Sequence, residues 1–184
     1  MKTTNPSALL SLIVIAWATL PATAEAVLRA TGGAASFDAS GPAGLKIQGK
    51  TSDVSVSETQ GNVRVNVALA NLDTGIDLRN HHMRDKYLEV QKYPEAVLVV
   101  EKASLRVPED GKDSSASANG TMTIHGQTKP VTFTYKAHRD HDAVDVSGSA
   151  HIDIREFGIV VPSYLGITVK PGVDVAAHFV AHDV

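Results

Sequence analysis

The sequence predicts an all-β fold in one domain, with roughly eight antiparallel strands arranged as a sandwich or a closed barrel. Two observations set the class. Apolar and polar residues alternate with period two through most of the chain after residue 34. Turn chemistry divides many of the runs, as at Glu109-Asp110-Gly111, His125-Gly126 and Arg139-Asp140-His141-Asp142. A third observation sets strand direction: short connections between strands with one apolar face imply antiparallel pairing.

The N-terminus has the layout of a cleaved export signal. Lys2 precedes the apolar run Ala8 to Leu20, and Pro21 with Ala22-Thr23-Ala24 follows. Residues 1–24 are expected to be removed before Glu25, with a cut before Val27 as the alternative. Residues 25–184 then form the domain. The apolar run falls short of the ~20 residues that a membrane span needs. No cysteine occurs, which excludes disulfides, thiolate chemistry and a lipidated N-terminal cysteine. A periplasmic or secreted location is the expectation. A formal charge of −3 with no long basic run argues against nucleic acid as a partner.

The strands follow in order. Short alternating runs occupy Ala34–Phe37, Leu45–Lys50 and Asp53–Ser57. Asn62 to Leu69 places Val63, Val65, Val67 and Leu69 on one face. Ala96–Leu105 and Ser115–Ile124 come next, and then Val131, Phe133 and Tyr135 share a face within Lys129–Ala137. Ala143 to Arg155 is the longest run, with Val144, Val146, Gly148, Ala150, Ile152 and Ile154 on one side. Val173–Val180 closes the series. The apolar faces carry several small residues, namely Gly49, Ala116, Ala118, Gly120, Gly148 and Ala150. They fit a hollow interior that holds a ligand and equally a close approach of strands.

One stretch breaks the alternation: TGIDLRNHHMRDKYLEVQKYP, residues 74–94. Thr74 and Asp77 have capping-box spacing, and Met83, Tyr87 and Val90 recur at helical spacing beside Leu88. Tyr93 precedes Pro94, which returns the chain to extended structure. The expectation is a short helical segment, about 76–91, capping the strands with its charged face in solvent.

Nothing in the sequence demands catalysis or a metal. The eight histidines lack ligand spacing, and adjacent His81 and His82 diverge by roughly 100° on a helix. Asp77 and Asp85 are accounted for as helix-end and i,i+4 partners. No nucleophile elbow or phosphate-cradling glycine loop occurs. A second irregular stretch, residues 155–173, runs Ile159-Val160-Val161 before Pro162 and then Ser163-Tyr164-Leu165-Gly166. On a barrel rim it is either a tucked-in loop or the entrance of a lipophilic pocket.

Three segments together resemble the YceI-like family of exported bacterial proteins: TGIDLRNHHMRDKYLEVQKYPEAVL (74–98), MTIHGQTKPVTF (122–133) and FGIVVPSYLGITVKPGVDV (157–175). The resemblance implies a lipocalin-like barrel whose cavity holds a long-chain polyisoprenoid of quinone or prenyl-phenol type, for transport or storage. It implies no enzyme activity and no cofactor beyond that lipid. Carried over by motif position, Arg79 and His82 would meet the head group. Tyr87, Leu88, Phe157, Tyr164 and Leu165 would border the cavity or its mouth, and Met122, Phe133, Val146 and Ile152 would line the wall. The Gly- and Ala-rich opening at 28–51 departs from the Asp…His-Ser pattern of many members. A monomer or homodimer with transient membrane-surface contact is the expected form. Two other functional classes stay open: an enzyme at the barrel mouth using His82 with Arg79 or Asp85, and an envelope interaction module with a filled core that docks through Ile159–Leu165.

Overall fold

The computed structural model describes residues 28–164 and 166–183. Twelve strands are present among the described residues: β1 (Leu28–Thr31), β2 (Ala34–Ser40), β3 (Lys46–Thr51), β4 (Val54–Thr59), β5 (Asn62–Ala68), β6 (Glu95–Glu101), β7 (Asp113–Ile124), β8 (Gln127–Asp140), β9 (Ala143–Asp153), β10 (Ser163–Tyr164), β11 (Ile167–Thr168) and β12 (Gly172–Asp183). The order β1-β4-β5-β6-β7-β8-β9-β12 closes on itself, because β12 pairs back to β1 through Leu28 opposite Asp183. The result is an eight-stranded antiparallel barrel, as the period-two pattern and the resemblance led one to expect. β10 and β11 form a separate two-stranded hairpin.

The Gly-rich opening of the chain has a structural role here. β12 pairs with β1 through Arg29–His182 and with β2 from Ala34 to Ala39. β1 and β2 are therefore two halves of one stave, broken at Gly32-Gly33. Gly33 has φ +153, and a Cβ there would lie 2.6 Å from the carbonyl oxygen of His178. Only glycine lets the chain pass so close to β12. β3 and β4 repeat the arrangement against β2 and β1, broken at Ser52-Asp53.

Several predicted boundaries shift, each for a local reason. The strand expected to reach Leu105 ends at Glu101, and Lys102–Ser104 form a 3-10 turn held by the Lys102 N–H on Gly61 and the Leu105 N–H on Lys102. The run expected to reach Arg155 ends at Asp153, whose carboxylate accepts from the Arg155 N–H and starts a 3-10 turn at Ile154–Phe157. Gly158, at φ 71, stops that turn in the left-handed conformation.

The segment expected to be helical over 76–91 is shorter and mixed: an α-helix α1 (Asp77–His81), then a π-helical turn at His82–Tyr87. The capping box does not form. Ile76 is the N-cap, with no side-chain cap. Thr74 is engaged instead with Asn80, its Oγ1 donating to Oδ1 at 2.6 Å, and it accepts from Arg79 Nε at 2.9 Å. Asn80, only 5% exposed, also donates to Asp73 at 2.6 Å and accepts from the Thr74 N–H. A side-chain network thus anchors the entry to the segment where capping was expected. The predicted inner face does pack: Val90 is buried with Leu69 and Leu72, and Met83 and Leu88 lie against them.

The apolar interior divides into two larger groups. One gathers Val54, Val56, Val63, Phe133, Tyr135, Val144 and Phe179. The other gathers Ile124, Val131, Ile152, Ile154, Phe157, Ile159 and Val173, with Tyr87 and Leu88 packed on it.

Candidate functional site

A cavity of about 720 Å³ runs through the barrel. The period-two faces supply its wall: Val63, Val65 and Val67 of β5, Val144, Val146 and Ile152 of β9, and Val173, Val175 and Phe179 of β12. It stays open where those faces carry small side chains, among them Ala35, Ala137, Gly148, Ala150 and Ala177. The other small residues act differently. Phe37 faces Gly49 across β2 and β3, and its ring occupies the place a Gly49 Cβ would take. A Cβ at Gly120 would lie 2.7 Å from the Val99 carbonyl oxygen. Ala118 is buried in packed core and Ala116 lies against it. Both readings of the small residues therefore apply, at different positions, and the interior is not filled.

Of the residues singled out in the sequence, Arg79, His82, Tyr87, Leu88, Met122, Phe133, Val146 and Ile152 all line this cavity. Phe157 does not. It is 2% exposed and packs in the group that holds Ile154 and Ile159. The 3-10 turn at Ile154–Phe157 takes it out of strand alternation and into solid core. The Tyr164 side chain and Leu165 lie outside the described residues.

Several liners were missed. Tyr135 lies two residues from Phe133 on the same face, so period two already pointed to it. Its hydroxyl accepts from the Arg106 N–H at 2.5 Å and holds Leu105, Arg106 and Val107 over the cavity. Nothing local in the sequence marks that trio. Lys86 was assigned to solvent, yet it lines the cavity with Arg79 and His82. The spacing 79, 82, 86 places all three on one helical face.

The polar part of the lining combines hydroxyls (Ser36, Thr74, Ser149 and Ser163) with basic side chains. Arg79, His82, Lys86 and Arg106 line the cavity, and among the described residues no Asp or Glu does. Arg79 is oriented by Thr74, donating from Nε to Oγ1 and from Nη2 to the backbone oxygen at 2.6 Å. Asp85 pairs with His81 at 3.0 Å. Among the described residues, His82 is the one histidine with no acidic partner. His138, His151, His178 and His182 pair with Asp113, Asp174, Asp145 and Asp142 on the barrel exterior. Those pairs account for their histidines as surface hydrogen-bond partners.

His125 instead ties the segment over the barrel in place. Its Nε2 lies 2.6 Å from Glu89 and its Nδ1 3.3 Å from the Phe157 carbonyl oxygen, with Tyr93 edge-on to the ring at 4.6 Å. One residue of the β7–β8 turn thus fastens the end of the 74–93 segment.

Among the described residues, one group could approach a single ion: Asp110, Asp140 and His141. It is exposed and internally bonded, with the His141 N–H on Asp110 at 2.7 Å and its Nδ1 2.6 Å from Asp140. The Asp140 hydrogen bond and the nearby Asp110 charge raise His141 above the ordinary imidazole value. None of these three residues lines the cavity.

Comparison with known proteins bears on fold and family. The profile of the YceI-like domain matches residues 22–181. A UPF0312 protein of Pseudomonas putida is 36% identical over 97 residues, 45% of this chain and 47% of that protein. A UPF0312 protein of Pseudomonas syringae pv. tomato is 31% identical over 109 residues, 54% and 53% of the two chains. The chain thus spans about half the length of the curated relatives it matches. Among solved structures, a polyisoprenoid binding domain from Saccharophagus degradans, implicated in plant cell wall breakdown, superposes with TM-score 0.71 at 18% identity, covering 86% of this chain and 99% of that one. Burkholderia cenocepacia BcnA superposes with TM-score 0.61 at 20% identity, covering 79% and 95%. At these identities the likeness is one of fold.

Proposed function

The chain belongs to the YceI-like family, and on that premise we propose that its barrel holds a long-chain polyisoprenoid, of quinone or prenyl-phenol type, as an exported carrier or store. The observation that carries this reading is the cavity: about 720 Å³, walled by aliphatic and aromatic side chains, with Arg79, His82 and Lys86 gathered on one helical face. Its size falls within the ~300–1,000 Å³ of sites that enclose small ligands. Arg79 and His82 supply N–H donors to a carbonyl or phenol oxygen, and the apolar chain runs inward past Phe133 and Val146.

Energetics favour carriage over capture. Moving one five-carbon unit from water into the barrel is worth about 4 kcal/mol, at ~0.8 kcal/mol per carbon group. A bilayer supplies the same stabilisation, so net transfer between membrane and barrel lies near zero. The solved domain from Saccharophagus degradans, described as polyisoprenoid binding, supports the ligand class. The pairing of Asp85 with His81 favours binding over acid–base chemistry at His82.

Titration of delipidated protein with a polyprenyl quinone, followed by native mass spectrometry, tests the proposal. A saturable one-to-one complex is expected. No complex at any ratio would overturn it.

A further inference from the structure

We propose that the cavity rim docks on an anionic lipid bilayer, through Ile76 and Leu78 on one side and Val160 and Ile167 on the other. These four are large apolar side chains left in solvent, at 53%, 60%, 71% and 50% exposure. Ile76, Leu78 and Ile167 also line the cavity. A residue that both lines a cavity and stands in solvent marks where it opens; Val107, 38% exposed on the β6–β7 connection, meets the same test at the opposite end of the staves, with fewer apolar tips around it. Val160 lies two positions before Pro162, another liner. Two separate segments, the start of α1 and the stretch around the β10–β11 hairpin, therefore present apolar tips at the same mouth. Apolar side chains exposed at an opening, with basic residues beside them, are the chemistry of an interfacial membrane contact.

Charge identifies the kind of surface. The 76–87 segment carries Arg79, Arg84 and Lys86 against Asp77 and Asp85, and Asp85 is paired with His81. The stretch from Gly158 to Lys170 contains Lys170 and no acidic residue. Within these two stretches Arg79, Arg84, Lys86 and Lys170 outnumber Asp77 and Asp85, although the whole chain is formally −3 and Asp73 and Glu89 flank the first stretch, so these tips attract a negatively charged bilayer. Docking would place the mouth against the phase in which a prenyl lipid dissolves, so the chain could pass without crossing water. That benefit rests on the proposed cavity ligand, whereas the docking itself can be measured without one.

The experiment is flotation of residues 25–184 with vesicles of phosphatidylcholine alone and of phosphatidylcholine mixed with phosphatidylglycerol. Wild type is expected to float with the mixed vesicles and to be released by salt. Leu78→Ser with Ile167→Ser is expected to cut the bound fraction at least about fivefold, and Lys86→Glu to abolish the preference for anionic vesicles. Val160→Ser, at the most exposed of the four positions, gives an independent weaker loss should the double variant fail to fold. Wild type that stays with neither vesicle, or variants that bind as wild type does, would overturn the proposal. So would a rim that changes only self-association in sedimentation. A protein that holds a polyprenyl quinone yet ignores vesicles would overturn docking alone, and one that floats yet binds no quinone would overturn the cavity ligand alone.

Discussion

At the scale of single residues, Phe157 and Asp73 show two kinds of anchoring. Phe157 is the most deeply buried large side chain among the described residues, and it stabilises by packing rather than by touching a ligand. We expect Phe157→Ala to cost about 3–5 kcal/mol in urea unfolding, the range for removing a buried aromatic ring. Asp73 acts electrostatically. The Gly75 N–H and the Asn80 amide donate to its carboxylate and hold it below the ordinary value of 3.8. A group depressed in this way stabilises the folded state fully above its unfolded pKa, and the effect fades as pH falls through the folded value. Amide exchange at Gly75 and Asn80, referenced to the intrinsic rate at each pH, should therefore lose protection below about pH 4. Protection that stays unchanged even after the Asp73 carboxylate has taken up its proton would contradict this role. Residue roles were unevenly legible: alternation put Phe133 and Val146 on apolar faces and the resemblance set them in the wall, but neither showed that the turn after Asp153 withdraws Phe157 from the cavity border.

At the scale of elements, the 74–93 segment decides what is cavity and what is cover. Its apolar positions were visible as helical spacing, and Met83, Leu88 and Val90 do face inward. Its internal geometry was not visible, because the α-to-π change after His81 depends on packing rather than propensity. The capping signature at Thr74 misled for a related reason: Asn80 and Arg79 compete for the same hydroxyl. The fastening at His125 was hidden too, since its partners lie 36 and 32 positions away. We expect His125→Ala to lower global stability by only about 1 kcal/mol, given the solvent-facing Glu89. Exchange of the 82–93 amides, read by hydrogen–deuterium mass spectrometry, should rise much more. Uniform loss of protection across the barrel would instead assign His125 to the global fold.

At the scale of the whole molecule, the pattern led to about eight antiparallel strands and left sandwich and barrel open; the family resemblance pointed to closure, and alternation alone did not show the emptiness. Gly148 and Ala150 leave space, while Gly49 and Gly120 admit a ring and a backbone oxygen; alternation reads all four alike. Gly148 separates the two uses experimentally. A Cβ there meets nothing closer than the Thr134 carbonyl oxygen at 3.5 Å, so Gly148→Leu should fold and fill part of the cavity. Export is tested at the same scale: N-terminal sequencing of protein recovered from the envelope should start at Glu25, and retention of Met1 would contradict a cleaved signal.

The measurement that tests cavity occupancy most directly is native mass spectrometry of wild type and Gly148→Leu, each purified from the envelope fraction and then extracted with organic solvent. Wild type should carry a stoichiometric mass from a five-carbon-unit series, and Gly148→Leu should carry less of it with an unchanged melting temperature. A wild-type protein that emerges without lipid, and stays so after incubation with polyprenyl quinones, would contradict the lipid-holding barrel.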